Sequence, residues 1–147
     1  VGARTLTETL VAWSSSGLTT ALGAANITDI DWNITAFDKS EGGTLSVKAI
    51  FNEAVDVTGT PTLTVANSTN ANHTLSYASG TGTNELTFTL AIAAANAATD
   101  ADDVLSIGAN AVALNGGTIK DKGTATASTI TSVAGIGTAA GTITVVA

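Results

Sequence analysis

The amino-acid sequence predicts an all-β protein, either an antiparallel sandwich or a small barrel. Two observations carry this prediction: apolar and polar residues alternate in short segments, and clusters of glycine, asparagine and serine separate those segments. The clearest segment is NELTFTLAI, in which Leu86, Phe88, Leu90 and Ile92 share one phase. Because side chains alternate between the two faces of a strand, we expect one buried face and one face of threonine that is wet or covered by a partner.

The same alternation begins at residue 27 and runs through the first half of the chain. The residues predicted to face inward are Ile30, Trp32, Ile34 and Ala36, then Leu45, Val47, Ala49 and Phe51, then Leu63, Val65, Leu75 and Tyr77. The motif AVDV predicts a separate short strand. Pro61 is predicted at the start of the next strand, where its missing N–H removes no bond from the sheet.

The second half of the chain gives a weaker pattern. AAANAATDADD permits either a helix or a loop, since alanine favours helices whereas asparagine and aspartate favour turns. Leu105 and Ile107 are predicted inward, followed by Val112 and Leu114. The phase breaks near residues 108–110, which indicates a bulge or bend. STITSV and GTITVVA predict two final strands.

Composition limits the classes of function. The 147 residues predict one domain with a core of its own, and the absence of cysteine excludes disulfides, thiol nucleophiles and cysteine-based metal sites. A formal net charge of -7 with only five basic residues argues against a nucleic-acid surface. No continuous apolar run is long enough to span a bilayer, so no membrane span is predicted.

The first 26 residues are predicted to form an arm that precedes a β domain over residues 27–147. The apolar residues of this arm are Leu6, Leu10, Trp13, Leu18 and Leu22. Their spacing does not decide between helix and strand. A single sandwich does not need them for its core, so two interpretations stand: they contact a neighbour in an assembly, or the arm folds back as an extra strand.

The start of the sequence, VGARTLTETL, contains no basic leader followed by an apolar run, so no signal peptide is predicted. This start fits a protein made and assembled in the cytoplasm. It equally fits a secreted protein from which a leader has been removed.

Residues 43–123 resemble the bacterial Ig-like repeats of very large cell-surface and secreted proteins. The resemblance rests on VKAIFNEAVDVTGTPTLTVAN, then TLSYASGTGTNELTFTLAI, then LSIGANAVALNGGTIKDKG. It implies an Ig-like antiparallel β-sandwich of about seven to nine strands and a structural or adhesive role. The chain departs from the family at one turn. The family continues from the aspartate that matches Asp121 into an A-G-N turn, whereas this chain reads DKGTAT.

Candidate sites for chemistry are few. Asp100, Asp102 and Asp103 offer hard oxygen ligands to calcium, but the spaced ligands and the glycine of an EF-hand are absent, so a solvated acidic loop is the default interpretation and no cofactor is predicted. Asp29, Asp31 and Glu53 are weaker candidates for the same role. His73 is predicted to be an exposed residue at a strand end. With no nucleophile elbow and no convergent acid, base and nucleophile, no catalytic residue is predicted and the chain is interpreted as a non-enzyme.

The sequence therefore favours a structural protein of a large assembly, located in a virion as a capsid decoration, cement or fibre component of a phage. One copy of the module, with unmatched segments at both ends, suits attachment to a lattice of neighbouring structural proteins or self-association. The alternative is a processed module of a bacterial adhesin, pilus or S-layer, outside the cell or on its surface. A carbohydrate-binding module is a third hypothesis, weakened because the aromatic residues mostly occupy inward phases.

Overall fold

The computed structural model describes residues 23–94, 96 and 98–147. Within this range the strands are β1 (Ile27–Trp32), β2 (Phe37–Asp38), β3 (Gly42–Thr58), β4 (Thr62–Asn67), β5 (His73–Ser79), β6 (Thr83–Ala93), β7 (Val104–Ser106), β8 (Val112–Ala113), β9 (Thr118–Asp121) and β10 (Ile143–Val146), and a helix, α1 (Ala134–Ala140), precedes β10. The prediction of an all-β protein is confirmed. The arm residues Leu6, Leu10, Trp13, Leu18 and Leu22 lie outside the described residues.

The strands form one curled mixed sheet in the order β1-β3-β6-β5-β4-β7-β10-β2. Strand β8 pairs with β4, and β9 pairs with β3. All pairs are antiparallel except β10 with β2. Only residues 33–36 separate β1 from β2, and an extended chain advances at most about 3.6 Å per residue. The two ends of the strand order must therefore lie close together, and the sheet curls round a single apolar core.

The segment NELTFTLAI forms the centre of this sheet. It lies in β6, which pairs with β3 from Gly42 opposite Ala93 to Ile50 opposite Glu85, and with β5 on its other side. Leu86 and Phe88 are fully buried and Ile92 is buried. Leu90 is half-buried against the same core. The predicted division into an apolar and a threonine face is confirmed.

Helix α1 packs against β1 and against Ile107 in the segment after β7. It has only seven residues, and no side chain caps its N-terminus, so its stability depends on tertiary contacts. The indole N–H of Trp32 in β1 donates to the carbonyl oxygen of Gly141 at 3.2 Å. Gly137 is buried against Ile107, where a Cβ would overlap the Ile107 carbonyl oxygen. Glycine is required at that position because the two backbones approach each other closely.

Three strand predictions were wrong. TLSVKAIF and AVDV form one 17-residue strand, β3, because the chain absorbs the phase change in an irregularity between Ile50 and Val55. STITSV is not a strand; within it only Thr129 makes a bridge, to Asn26. Ala36 is exposed rather than inward, because β1 ends at Trp32 and the chain re-enters the sheet at the buried Phe37 with a new phase.

One further prediction was wrong, and one open alternative is decided. Leu114 was expected to face inward but is 38% exposed, because β8 ends at Ala113 and the chain turns with positive φ at Asn115 and Gly116. For AAANAATDADD the sequence permits either a helix or a loop. Its first residue, Ala93, ends β6, and its other described residues form turns and loop.

Replacing Phe88 with alanine is expected to lower the free energy of unfolding by about 3 to 5 kcal/mol, since a fully buried aromatic side chain is lost and a cavity remains. Its ring also contacts Tyr77 edge to face, with centroids 6.2 Å apart. Urea unfolding monitored by circular dichroism measures the loss. Thr89→Ala, on the other face of the same strand, should cost less than about 1 kcal/mol; equal losses in the two variants would contradict the assigned faces.

Candidate functional site

The three aspartates predicted to offer ligands to calcium occupy different environments. Asp103 is buried, with 2% of its surface exposed. Asp100 is exposed, and its Oδ1 lies 3.0 Å from Nζ of Lys39. Asp102 is exposed and has φ 68, with its N–H donating to the Val145 carbonyl oxygen at 2.9 Å. The loop does not direct the three carboxylates at one point.

Asp103 is instead the centre of a network that we name the Asp103 cluster: Asn67, Thr69, Asn70, Asp100 and Asp103. Oδ2 of Asp103 accepts the side-chain amide of Asn67 at 2.8 Å, that of Asn70 at 3.0 Å and the backbone N–H of Asp100 at 2.8 Å. Oδ1 accepts the hydroxyl of Thr69. The three side-chain donors come from the end of β4 and the loop after it, so the cluster joins that loop to the loop before β7.

The charge of Asp103 is stabilised by these donors. Burial by itself would raise the pKa of the carboxyl, but the bonds from the Asp100 backbone and from Thr69, Asn70 and Asn67 outweigh burial and hold the pKa well below its usual range. The pKa of Asp100 is also lowered, by the amide of Asn70 and then by Lys39. The folded structure therefore favours the ionised form of Asp103.

The arrangement of the Asp103 cluster gives no support to calcium binding in this loop. A cation there would have to displace the N–H and O–H donors that already surround the carboxylate. Within the described ranges, no group of three or more histidine, cysteine, aspartate or glutamate side chains is arranged to hold a metal ion. The cluster acts as a clamp between two loops.

His73 was expected to be exposed, and this prediction was wrong: the side chain is 6% exposed. It shares the inward phase of Leu75, and its backbone pairs with Val65. Its Nε2 lies 3.3 Å from the hydroxyl oxygen of Thr99. Thr99 is fully buried, so this hydroxyl and imidazole pair is closed to any substrate in the described structure. Its role is to fill the core beside the Asp103 cluster.

Burial lowers the pKa of His73, and the attraction of Asp103 only partly opposes this effect. The folded state thus favours the neutral imidazole, whereas the unfolded chain takes up a proton near pH 6.5. The resulting stability is fully present above that pH and is lost as the pH falls below it. We expect wild type to lose stability between about pH 6.5 and 5 relative to His73→Gln.

Urea midpoints of the two proteins at several pH values measure this difference. Glu53, whose pKa is raised, changes stability in the opposite direction, so the comparison with His73→Gln isolates the histidine. His73 is the single histidine of the sequence, which makes the assignment direct. A constant difference between the two midpoints over this pH range would show that His73 is not buried in its neutral form.

The outer side of the sheet carries a surface that we name the hydroxyl face. Its residues are Thr44 and Ser46 in β3, Thr87 and Thr89 in β6, Thr74 and Ser76 in β5, and Thr62 and Thr64 in β4. The strand register places Ser46 opposite Thr89, Thr89 opposite Ser76 and Ser76 opposite Thr62. Adjacent strands lie about 4.8 Å apart, so these four side chains form a row about 14 Å long.

The hydroxyl face is uncharged and accessible. All its members are exposed or half-buried, whereas the residues between them, such as Leu45, Leu63 and Leu75, are fully buried. The nearest charges on the outward positions of β3 and β6 are Lys48 and Glu85, 3.9 Å apart at one margin. On a chain with a net charge of -7, this face is a neutral area built on four neighbouring strands.

The remaining predicted candidates are dispersed. Asp29 accepts the N–H of Ile30 through Oδ1 at 2.9 Å, and Asp31 lies opposite Lys48 in the β1–β3 register. Glu53 lies near the buried Asp121. Trp32 donates its indole N–H inside the fold and is packed, half-buried, against the apolar core.

Comparisons of the chain with family models, with curated proteins and with solved structures give no match. Among the described residues, no helix has both the length and the apolar character needed to cross a membrane.

Proposed function

We propose that this chain is a non-enzymatic structural module of a large assembly, with an Ig-like arrangement of its strands, and that it serves as a decoration, cement or fibre component of a virion. The observation that carries the proposal is the hydroxyl face. The resemblance of residues 43–123 to bacterial Ig-like repeats supports the architecture. The confirmed all-β class agrees with it.

The hydroxyl face suits contact with a neighbouring subunit for two reasons. Each threonine or serine hydroxyl both donates and accepts hydrogen bonds, so the surface fits polar partners in more than one orientation. The face also lacks carboxylates between its two margins, so a second acidic subunit can approach it without direct repulsion between like charges. In this proposal Leu6, Leu10, Trp13, Leu18 and Leu22 supply a second contact with the lattice.

The first test is to purify the particle fraction from the natural source and to determine the intact mass of the chain within it, with negative-stain microscopy of the same fraction. An intact chain that co-purifies with icosahedral shells or tails is the expected result. If the chain is instead a fragment of a longer protein and co-purifies with cell envelopes or pili, the result would contradict the virion role and favour the surface-adhesin role.

A second test addresses the hydroxyl face. Thr89→Lys places a charge at the centre of the face and should reduce occupancy on particles or lattices at least about tenfold, since a desolvated unpaired charge is costly. Thr144→Lys places the same charge at an exposed position in β10, outside the hydroxyl face; it is the control and should keep its occupancy. Equal occupancy of both variants would exclude the hydroxyl face as the contact.

A further inference from the structure

Three buried side-chain oxygens in the described part of the chain have no hydrogen-bond partner: Oε1 of Glu53, Oδ2 of Asp121 and Oγ of Ser128. Asp121 is 2% exposed. A buried acceptor without a donor costs free energy, and a buried carboxylate oxygen costs more than a neutral one. The two carboxyl groups therefore need something that the described chain does not supply.

The fold brings these two carboxyl groups together from distant parts of the sequence. Strand β9 pairs with β3 so that Asp121 lies opposite Val55, and Lys122 extends the pairing by donating its N–H to the Ala54 carbonyl oxygen at 2.9 Å. Glu53 is two residues from Val55 and points to the same side of β3. It is the diagonal neighbour of Asp121, which a long side chain reaches.

Asp121 is held rigidly by its own turn. Its Oδ1 accepts the backbone N–H of Thr124 at 2.6 Å and the Thr124 hydroxyl at 3.0 Å. The Thr124 hydroxyl is also 3.0 Å from that of Thr126 and 3.2 Å from the carbonyl oxygen of Gly23. Because the turn engages Oδ1, the oxygen left without a donor is Oδ2, which is buried and lies near Glu53.

Two carboxylates in contact need one positive charge between them. Burial, followed by the charge of Asp121 and by a hydrogen bond to it, raises the pKa of Glu53. The donors of Thr124 lower the pKa of Asp121 in spite of its burial. Oε1 of Glu53 and Oδ2 of Asp121 are thus two buried acceptors on neighbouring side chains, with no donor from the described chain.

We propose that the Glu53–Asp121 pair is a binding site for a hard divalent cation such as Ca²⁺, which joins the turn after β9 to the irregular part of β3. Carboxylate oxygens are the ligands that such cations prefer. The described chain supplies two carboxylates here and water would fill the rest of the shell, so we expect weak affinity, about 0.1 to 1 mM as in extracellular calcium modules. This site is separate from the loop of Asp100, Asp102 and Asp103 and does not depend on the assembly role.

The test is thermal unfolding of the full chain in CaCl₂ from about 0.01 to 10 mM, a range that brackets this affinity. Wild type should show a saturable rise in its midpoint of at least about 3 °C. NaCl at matched ionic strength should give a smaller and non-saturating change. MgCl₂ should have less effect than CaCl₂, since Mg²⁺ gives up its water reluctantly.

Glu53→Gln is the decisive variant, because glutamine keeps the size of the side chain and offers Asp121 a permanent N–H donor. The variant should fold, should be at least as stable as wild type without calcium, and should lose the calcium response. Glu41→Gln, in the turn before β3, makes the same change of charge at an exposed position and should keep the response.

Calorimetric titration with CaCl₂ should give one site per wild-type chain and none in Glu53→Gln. If calcium shifts wild type no more than NaCl does, the pair holds a proton only and the proposal is wrong. If Glu53→Gln responds as wild type does, calcium binds elsewhere and the proposal is equally wrong.

Discussion

Asp103→Ala is expected to destabilise the protein by at least about 3 kcal/mol, because the change leaves the donors of the Asp103 cluster without their acceptor. The side chain of Asn67 and the N–H of Asp100 lose a bond of 2.8 Å each, and Asn67 is itself buried. Urea unfolding gives the loss. Hydrogen exchange should locate it in the loops on either side of the cluster, before β5 and before β7.

A matched pair of asparagine substitutions separates the carboxylate's role from a general effect of charge. Asp103→Asn removes the charge of the buried group and presents an amide to its donors. Most of the stability lost in Asp103→Ala should therefore also be lost in Asp103→Asn. Asp102→Asn removes one charge at an exposed neighbour, and asparagine tolerates its φ of 68. That control should stay within about 0.5 kcal/mol of wild type. Equal effects at the two positions would show that the cluster does not hold the loops.

Gly137→Ala is the second substitution from which we expect a large effect, about 3 kcal/mol of lost stability. The added Cβ overlaps the carbonyl oxygen of Ile107, which is backbone and cannot turn aside as a side chain would. Helix α1 must therefore move off the sheet, and its hydrogen bond from Trp32 to Gly141 is strained or broken. Urea unfolding measures the loss, and faster amide exchange over residues 134–141 reports the displaced helix.

Gly135→Ala in the same helix is the control and should have the opposite sign. No atom lies within 4 Å of the position that its Cβ would occupy. Alanine in a helix interior is favoured over glycine by about 0.5 to 1 kcal/mol, so this variant should be slightly more stable than wild type. If both variants are destabilised alike, the loss at Gly137 does not arise from the contact with Ile107.

The apolar pattern was sufficient to predict the all-β class and the faces of the long central strands. In β6 the alternation of Leu86, Phe88 and Ile92 with threonine leaves one arrangement in which the apolar side chains are removed from water. Even the burial of His73 could have been inferred, since it shares the phase of Leu75 and Tyr77. The prediction failed there because the polarity of histidine was given more weight than its phase.

The sequence alone thus determined that the segments of β1 and of β3 to β6 are extended and which side of each is apolar, because those features depend on residues two positions apart. Only the tertiary structure decided that Asn67, Asn70 and Asp103 meet, that Glu53 reaches Asp121, and that α1 forms and packs against Ile107. Each of these contacts joins residues more than twenty positions apart, and a local period carries no information on such pairs. The Asp103 cluster and the Glu53–Asp121 pair both depend on contacts of this long-range kind.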